Sequence, residues 1–275
     1  MDFVDRTVRD IRRLKIQGAF HIALAAIKAF SLAKDKRKAA RKLLASRPTE
    51  PMLRNSLKYL EKNPNTKTLI AKLKIDQEKI VKYALEKVPK KGIVYTHCHS
   101  STVNEILKKA KHKGKNFLVN VTETRPFYQG RMTAKELTRA KIPVIVFVDS
   151  AARLAMKKAD VMFIGADAIT AEGIVINKMG SELMADVANH YEIPVYVCTH
   201  SWKFDPRTAF GFEEKIEKRA TKEIWKNPPH GVHISNYVFE KVDPNKITAI
   251  ISELGVFKPE AFVEEVRKNY KWMFN

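Results

Sequence analysis

Long apolar runs are absent from the 275-residue sequence, and cysteine is scarce. No stretch of 18 or more apolar residues occurs, which argues against a helix that spans a membrane. The first residues lack the basic-then-apolar order of a signal peptide. Cys98 and Cys198 are too few for a disulfide framework, and free thiols are typical of the cytoplasm. We therefore expect a cytoplasmic protein that does not associate with a membrane.

Two kinds of ligand motif are also missing. No Gly-x-Gly-x-x-Gly follows the first strand-like segment, so the dinucleotide-binding fingerprint is absent. The eight histidines show no spacing typical of metal ligands. The sequence therefore predicts no metal site and no bound cofactor.

Acidic residues are the minority charge. The chain has 30 Asp and Glu against 51 Lys and Arg, for a net charge of +21, and residues 1–90 alone hold 23 basic and 9 acidic side chains, a net of +14. This surplus favours anionic partners, namely RNA, phosphorylated metabolites or an acidic protein surface. RNA binding has no support from a motif with stacking aromatic residues. A lysine-rich solvated surface explains the same charge without any partner.

The patterns that are present divide the chain at a Pro-Lys-Lys-Gly break at 89–92. Apolar residues recur at helical spacing before it, as in Phe20, Leu24 and Ile27. Short β-branched runs alternate with helix-like stretches after it, and they lie at 93–95, 117–121, 144–148, 161–164 and 195–197. This alternation is typical of a parallel sheet with helical crossovers. We predict an α/β protein with an N-terminal helical domain, 1–90, and a Rossmann-like, mostly parallel sheet domain, 91–275.

Two residues at strand ends are the first candidates for chemistry. Cys98 follows the run at 93–95, and Asp167 follows the run at 161–164. Functional groups collect at the carboxyl ends of parallel strands, and a thiol and a carboxyl group together could move protons on a small polar substrate. The alternatives are an inert buried cysteine and a helix N-cap.

Two cations are candidates for binding an anion. Lys178 precedes a helix expected from residue 181, whose free N–H groups add to the attraction for phosphate. A plain surface lysine is the alternative. Arg125 stands before a proline on a stiff turn, suited either to phosphate or carboxylate binding or to a structural salt bridge.

Five motifs occur in order along the chain. They are Thr-His-Cys at 96–98, Glu-Thr-Arg-Pro at 123–126 with Gln-Gly at 129–130, Gly-Ala-Asp at 165–167, Asn-Lys-Met-Gly at 177–180, and Asn-Tyr-Val-Phe-Glu at 236–240. The set resembles the family shared by the alpha, beta and delta regulatory subunits of translation initiation factor 2B and two sugar-phosphate isomerases. Those isomerases act on methylthioribose 1-phosphate and ribose 1,5-bisphosphate. The resemblance covers almost the whole chain.

The resemblance implies a role for each matching residue. Cys98 and Asp167 would be the acid–base pair that converts an aldose 1-phosphate to a ketose. Arg47 would reach the sugar phosphate from the N-terminal domain, which implies a pocket between the domains. The 236–240 motif implies a homodimer or a larger homo-oligomer. The remaining residues expected to bind the ligand are Arg125, Gln129, Asn177, Lys178 and Lys203.

One segment departs from the isomerase pattern. Ile-Gln-Gly-Ala-Phe at 16–20 stands where the ribose-bisphosphate isomerases have Ile-Arg-Gly-Ala-Gly, whose arginine and glycines surround a phosphate. We expect Gln17, Gly18 and Ala19 to contact the ligand, but Gln17 carries no charge and Phe20 adds bulk. His99 also replaces the Asn that follows the cysteine in the isomerases.

These departures and the short chain decide the order of two functional interpretations. The first is a regulatory-type subunit like those of initiation factor 2B, which binds the alpha subunit of initiation factor 2, takes part in GDP/GTP exchange and keeps a sugar-phosphate or nucleotide pocket. The second is an aldose–ketose isomerase for a phosphorylated pentose such as ribose 1,5-bisphosphate. The sequence leaves open whether the pocket is catalytic.

Overall fold

The N-terminal region is helical. The structure, a computed structural model, describes residues 2–214 and 216–274. Before the first strand lie α1 (Phe3–Arg12), α2 (Ala19–Leu32), α3 (Lys36–Leu44), α4 (Pro51–Lys62) and α5 (Thr66–Leu85). Side chains of Asp35 and Asn65 accept hydrogen bonds from the main chain at the starts of α3 and α5. Such caps satisfy amide groups that a helix start leaves unpaired.

A seven-stranded sheet forms the centre of the rest of the chain. Its strands are β1 (Lys91–Thr96), β2 (Asn116–Thr122), β3 (Val144–Phe147), β4 (Val161–Ile164), β7 (Val195–Cys198), β9 (Ala249–Ser252) and β10 (Gly255–Phe257). They lie in the order β10-β9-β7-β4-β1-β2-β3, and every neighbouring pair is parallel except β9 and β10. The helices that accompany them are α6 (Ser101–His112), α7 (Gln129–Arg139), α8 (Ala152–Met156), α9 (Ser181–His190) and α10 (Pro259–Asn269).

The predicted fold class, α/β with a mostly parallel sheet, is confirmed. All four residues of β4 are buried, as expected for a central parallel strand with both faces covered. The sequence analysis did not identify β9, β10 or α10. It also missed a three-stranded antiparallel sheet of β5 (Ala168–Ile169), β6 (Val175–Lys178) and β8 (Phe239–Val242), whose strands are short and distant in sequence.

The N-terminal helices and the sheet share one hydrophobic cluster. It includes Leu53 and Leu57 of α4 together with Trp202 and Phe204, which follow β7. The Asn55 side-chain amide donates hydrogen bonds to the carbonyls of Trp202 and Phe204, at 2.9 and 2.8 Å. This contact fixes α4 on the loop after β7, and the division into domains at residue 90 stays a prediction.

Among the residues that the structure describes, no helix combines the length and the apolar character that a membrane span requires.

Gly130 tests the packing of α7 against β2. A Cβ atom at this position would lie 1.8 Å from the carbonyl oxygen of Thr122, which is main chain and cannot rotate away. We expect Gly130→Ala to lower the free energy of unfolding by about 3 kcal/mol or more. Gly114→Ala is the control, because its Cβ would meet nothing within 4 Å and only the left-handed backbone opposes it, at about 1 kcal/mol. Equal losses for the two variants in urea unfolding would contradict this account.

Candidate functional site

A cavity of about 310 Å³ lies where β1 and β4 end. The segment that leads into α2 and the loop before α4 supply the part of its wall that comes from the N-terminal region. The cavity thus lies between the helical region and the sheet, as the sequence analysis expects. Ten of the predicted site residues line it: Gln17, Gly18, Ala19, Arg47, Cys98, Gln129, Asp167, Asn177, Lys178 and Lys203.

Cys98 lies in the loop between β1 and α6. Its main-chain N–H donates to Thr124 Oγ1 at 3.1 Å, and its carbonyl accepts from Thr133 Oγ1 at 2.8 Å. The backbone at Cys98 is left-handed, with φ of 67°. Non-glycine residues rarely adopt this conformation, so the two threonine contacts hold the thiol in a costly position.

Asp167 is brought beside this loop by a close approach of the Gly165 backbone to the Ser100 side chain. A Cβ atom at Gly165 would lie 2.8 Å from Ser100 Oγ, so the Gly-Ala-Asp loop runs directly against the start of α6. The Asp167 N–H donates to the Ile176 carbonyl at 2.8 Å, which fixes the residue at the small sheet. The thiol and the carboxyl group therefore face one cavity although 69 positions separate them.

Burial raises the pKa of the Cys98 thiol to about 11, and the positive charge of Lys178 partly opposes this rise. Only 9% of Cys98 is exposed. The thiol of the free protein therefore keeps its proton at neutral pH. For Cys98 to act as a base it must lose that proton, and Lys178 is the residue that favours the thiolate.

His97 joins the end of β1 to the Asn-Lys-Met-Gly segment. Its Nε2 lies 2.9 Å from the Met179 carbonyl, which can only accept, so Nε2 carries the hydrogen. Nδ1 then accepts from Thr122 Oγ1 at 2.9 Å. Burial lowers the pKa of His97 and keeps the ring neutral. His97 thus positions Met179, which follows Lys178 in the sequence.

Among the basic residues that line the cavity, Lys178, Arg47 and Lys203 were predicted from the sequence, and each has few partners among the described residues. Lys178 is 8% exposed, forms no salt bridge, and has its Nζ 4.7 Å from the centre of the Phe239 ring. Arg47 also lies over Phe239, at 5.8 Å, and reaches Glu217 only at 3.6 Å. Lys203 Nζ donates to the Ala166 carbonyl at 2.6 Å, and burial lowers its pKa. A buried, unpaired ammonium favours an anionic ligand.

Three polar residues that were expected to contact the ligand differ in how many of their hydrogen-bonding groups are already used. Gln17 donates its amide to the Leu14 carbonyl at 2.7 Å, so part of it is already used. Asn177 donates to Ser181 Oγ at 2.9 Å. The Oε1 atom of Gln129 is buried and accepts no hydrogen bond within the described residues. Gln129 therefore offers the most obvious free acceptor of the three.

The position of Arg125 differs from that of the other ten expected site residues. Arg125 is exposed and does not line the cavity, because its guanidinium donates to the Tyr128 hydroxyl at 3.0 Å and to the Ile224 carbonyl at 3.4 Å. Arg219 lines the cavity instead. Arg219 belongs to none of the five sequence motifs.

Glu50 is the main site residue that the sequence analysis missed. It directly precedes α4 and lines the cavity at 3% exposure. Burial, and next the charge of Asp167, raise the pKa of its carboxyl group to about 8. The signal available in the sequence was the position of Glu50, three residues after Arg47. Two residues so close together on the loop before a helix share the same surroundings. Phe239 was likewise known only as part of a motif assigned to subunit association.

A second buried group has ligand-type side chains. Asp76, His200 and Glu253 offer atoms that all lie within 4.8 Å of one another, a grouping that their spacing in sequence does not reveal. Each carboxylate already has a partner, because Lys72 pairs with Asp76 and the Ser201 hydroxyl donates to Glu253. The three side chains thus form a buried polar cluster between α5 and the loops after β7 and β9, in which burial lowers the pKa of His200.

Comparison with known proteins agrees with the five motifs. The sequence profile of the Initiation factor 2 subunit family matches residues 14–259. The chain belongs to this family. The resemblance identified from the motifs is confirmed. Some similar proteins are named as sugar-phosphate isomerases and others as translation initiation factors.

Several family members with similar sequences are named as enzymes. Ribose 1,5-bisphosphate isomerase of Thermococcus kodakarensis is 32% identical, over 95% of this chain and 93% of its own. Methylthioribose-1-phosphate isomerase of Heliobacterium modesticaldum is 31% identical, over 94% and 88%. A crystal structure described as translation initiation factor eIF-2B of Pyrococcus horikoshii aligns with a TM-score of 0.83 at 25% identity, over 94% and 98%.

Reactivity of the two thiols tests the electrostatics of the cavity. Cys98 should react slowly with a small alkylating reagent at pH 7 and faster as the pH approaches 11, where the thiolate forms. Lys178→Met should lower the rate at pH 8 roughly tenfold, because the charge that favours the thiolate is gone.

Cys198 provides the control for this measurement. It is fully buried, and burial raises its pKa. Cys98→Ser should therefore remain unmodified, as judged by mass spectrometry. Modification of Cys198 before Cys98, or a rate independent of pH, would contradict the description of the cavity.

Proposed function

We propose that this protein is an aldose–ketose isomerase that acts on a phosphorylated pentose such as ribose 1,5-bisphosphate. The observation that carries the proposal is one cavity lined by Cys98 and Asp167 together with Lys178, a buried cation that forms no salt bridge with the described residues. Relatives at 31–32% identity that are named as sugar-phosphate isomerases support the same choice. The interpretation that came second from sequence alone therefore comes first here.

The charges of the wall suit a phosphorylated sugar. The charged ends of Lys178 and Arg47 both lie near the ring of Phe239, and both side chains are largely buried in the cavity wall. Electrostatic attraction is stronger in such a place than in water. The loss of an arginine at Gln17 removes one phosphate contact, but Lys203 and Arg219 also line the cavity.

The reaction needs two proton-handling groups. A sugar phosphorylated at C1 is closed as a ring, so a proton must reach the ring oxygen as the C1–O bond breaks. The hydrogen of C2 then moves to C1, and the C2 hydroxyl loses its proton to become the ketone. Cys98 and Asp167 are the acid and base that we assign to these transfers. His97 acts through position, since both its ring nitrogens are engaged by Thr122 and Met179.

Turnover of ribose 1,5-bisphosphate is the direct test. The purified protein should form the ketose, and Cys98→Ser and Asp167→Asn should each lower the rate at least about a hundredfold, the usual contribution of a general acid or base. Ketose formation is measured by a coupled assay or by NMR.

Matched substitutions outside the cavity control for indirect effects. Cys198→Ser replaces the other cysteine, and Asp186→Asn replaces an exposed aspartate that pairs with Lys246. Both should keep the rate of the unaltered protein. No ketose from either ribose 1,5-bisphosphate or methylthioribose 1-phosphate, or full activity of Cys98→Ser, would refute the proposal.

The likeness to a structure described as eIF-2B favours a second candidate. It is the function that the sequence analysis placed first: binding of the alpha subunit of initiation factor 2 and participation in GDP/GTP exchange. The pocket would then hold a sugar phosphate or nucleotide without turnover. Association with a second copy of the chain also stays a prediction, and the exposed apolar side chains of Ile145, Val146 and Val148 on and beside edge strand β3 support it.

A pull-down separates the two functions. We expect immobilised protein to retain no initiation factor 2 at high salt, where the attraction from its net charge of +21 is screened. A basic protein of unrelated fold is the control. Specific retention together with faster GDP release, and no ketose from the same preparation, would reverse the order of the two functions.

A further inference from the structure

Glu50 has a carboxyl group that the described residues do not satisfy. It lies on the loop that leads into α4, lines the cavity, and is almost fully buried. Its Oε1 atom contacts no solvent and has no hydrogen-bond partner in the described part of the chain. A buried polar atom without a partner is costly, and the cost is smaller for a neutral carboxylic acid than for a carboxylate, so this acid in the cavity wall favours the form that can donate a hydrogen bond.

The charged groups around Glu50 come from three parts of the fold. Arg47 and Arg54 belong to its own segment and to α4, Asp167 comes from the loop after β4, and Lys203 from the loop after β7. The nearby cations do not offset the burial and the negative charge of Asp167. Lys203 is shared between the two acids and also donates to the Ala166 carbonyl. Two carboxyl groups in one cavity are most stable when one of them keeps its proton.

We propose that Glu50 is a third proton-carrying group of this site, whose neutral carboxylic acid donates a hydrogen bond to a hydroxyl of the bound phosphorylated sugar. The identity of the ligand rests on the proposed function. Ionised Glu50 offers no hydrogen to the sugar, and it repels both the phosphate and Asp167. Binding therefore requires the protonated form, and it weakens as the pH rises through about 8.

The titration of Glu50 can be distinguished from that of the other cavity groups with shifted pKa values. The Cys98 thiol has its pKa at about 11, and burial keeps the pKa values of His97 and His99 below that of free histidine. A sugar phosphate is already a dianion above pH 7. Lys203 has a lowered pKa and would also lose charge at alkaline pH. Glu50→Gln separates the titration of Glu50 from that of Lys203, because the substitution removes the first and leaves the second in place.

Ligand binding gives the first measurement. Ribose 1,5-bisphosphate is titrated into Cys98→Ser, which prevents turnover, by calorimetry at pH 7 and pH 9. The Kd should rise about tenfold between them, since only about a tenth of Glu50 stays protonated one pH unit above its pKa. Adding Glu50→Gln, a neutral donor of the same shape, should abolish most of this rise. An equal rise with and without Glu50→Gln would overturn the proposed hydrogen bond.

Folding of the ligand-free protein gives a second measurement that does not depend on the substrate. The pKa of Glu50 is higher in the folded chain than in the unfolded chain, so stability falls as the pH rises from about 4.5 to about 8. Glu50→Gln should raise the melting temperature by several degrees at pH 8.5 and hardly at pH 4.5. Glu61→Gln, at an exposed position of the same helix, should show no such difference.

The two measurements separate this inference from the proposed function. A melting temperature that Glu50→Gln raises equally at both pH values, or not at all, would overturn the protonated Glu50. Glu50→Ala should bind ribose 1,5-bisphosphate weakly at both pH values, and unchanged binding would overturn the contact. The predicted pH dependence of binding together with an inactive protein would contradict only the isomerase function.

Discussion

The attachment of α4 to the loop after β7 is the contact on which the cavity depends. Asn55 binds the carbonyls of Trp202 and Phe204, the two residues on either side of Lys203. Arg54 adds an ion pair to the buried Asp205 at 3.2 Å. Because Arg47 and Glu50 lie on the segment that enters α4, the same contact sets them opposite Lys203. A change in this contact would move both walls of the site together.

The cavity holds acidic groups as well as cations. A site built only to hold phosphate would gain from cations alone. Here Asp167 and Glu50 lie among Arg47, Lys178 and Lys203, and burial acts on several of these groups at once. Such mixtures shift pKa values towards the range in which protons are transferred. Because the cavity mixes both signs of charge, the surplus of basic residues in the sequence does not predict the charges of the site.

The predictable part of the protein is the part that local patterns determine. The central strands and Cys98 and Asp167 followed from β-branched runs and from the rule that parallel strands present their carboxyl ends at one edge. The small sheet did not, because β5 has two residues and β8 lies about 60 residues beyond β6. Arg125 and Arg219 show the same limit. A motif locates an arginine in the sequence, but tertiary contacts determine the partner of its side chain. For Arg125 that partner is Tyr128.

Glu50 shows a further limit of a sequence read without its fold. A glutamate before a helix-starting proline is an ordinary helix-start residue, and apart from the nearby Arg47 its neighbours in sequence do not indicate burial. Its unusual state arises from Asp167 and Lys203, which are more than a hundred positions away. Perturbed acids of this kind are properties of an assembled cavity.

The backbone of Cys98 bears on why a side chain is present there at all. At φ of 67° a glycine would be free of the steric conflict between Cβ and the main chain. Folding stability alone would thus prefer the one residue type that cannot carry a functional group. The strain at this position is consequently a cost that the architecture does not require, and it accompanies a thiol-bearing residue in the cavity wall.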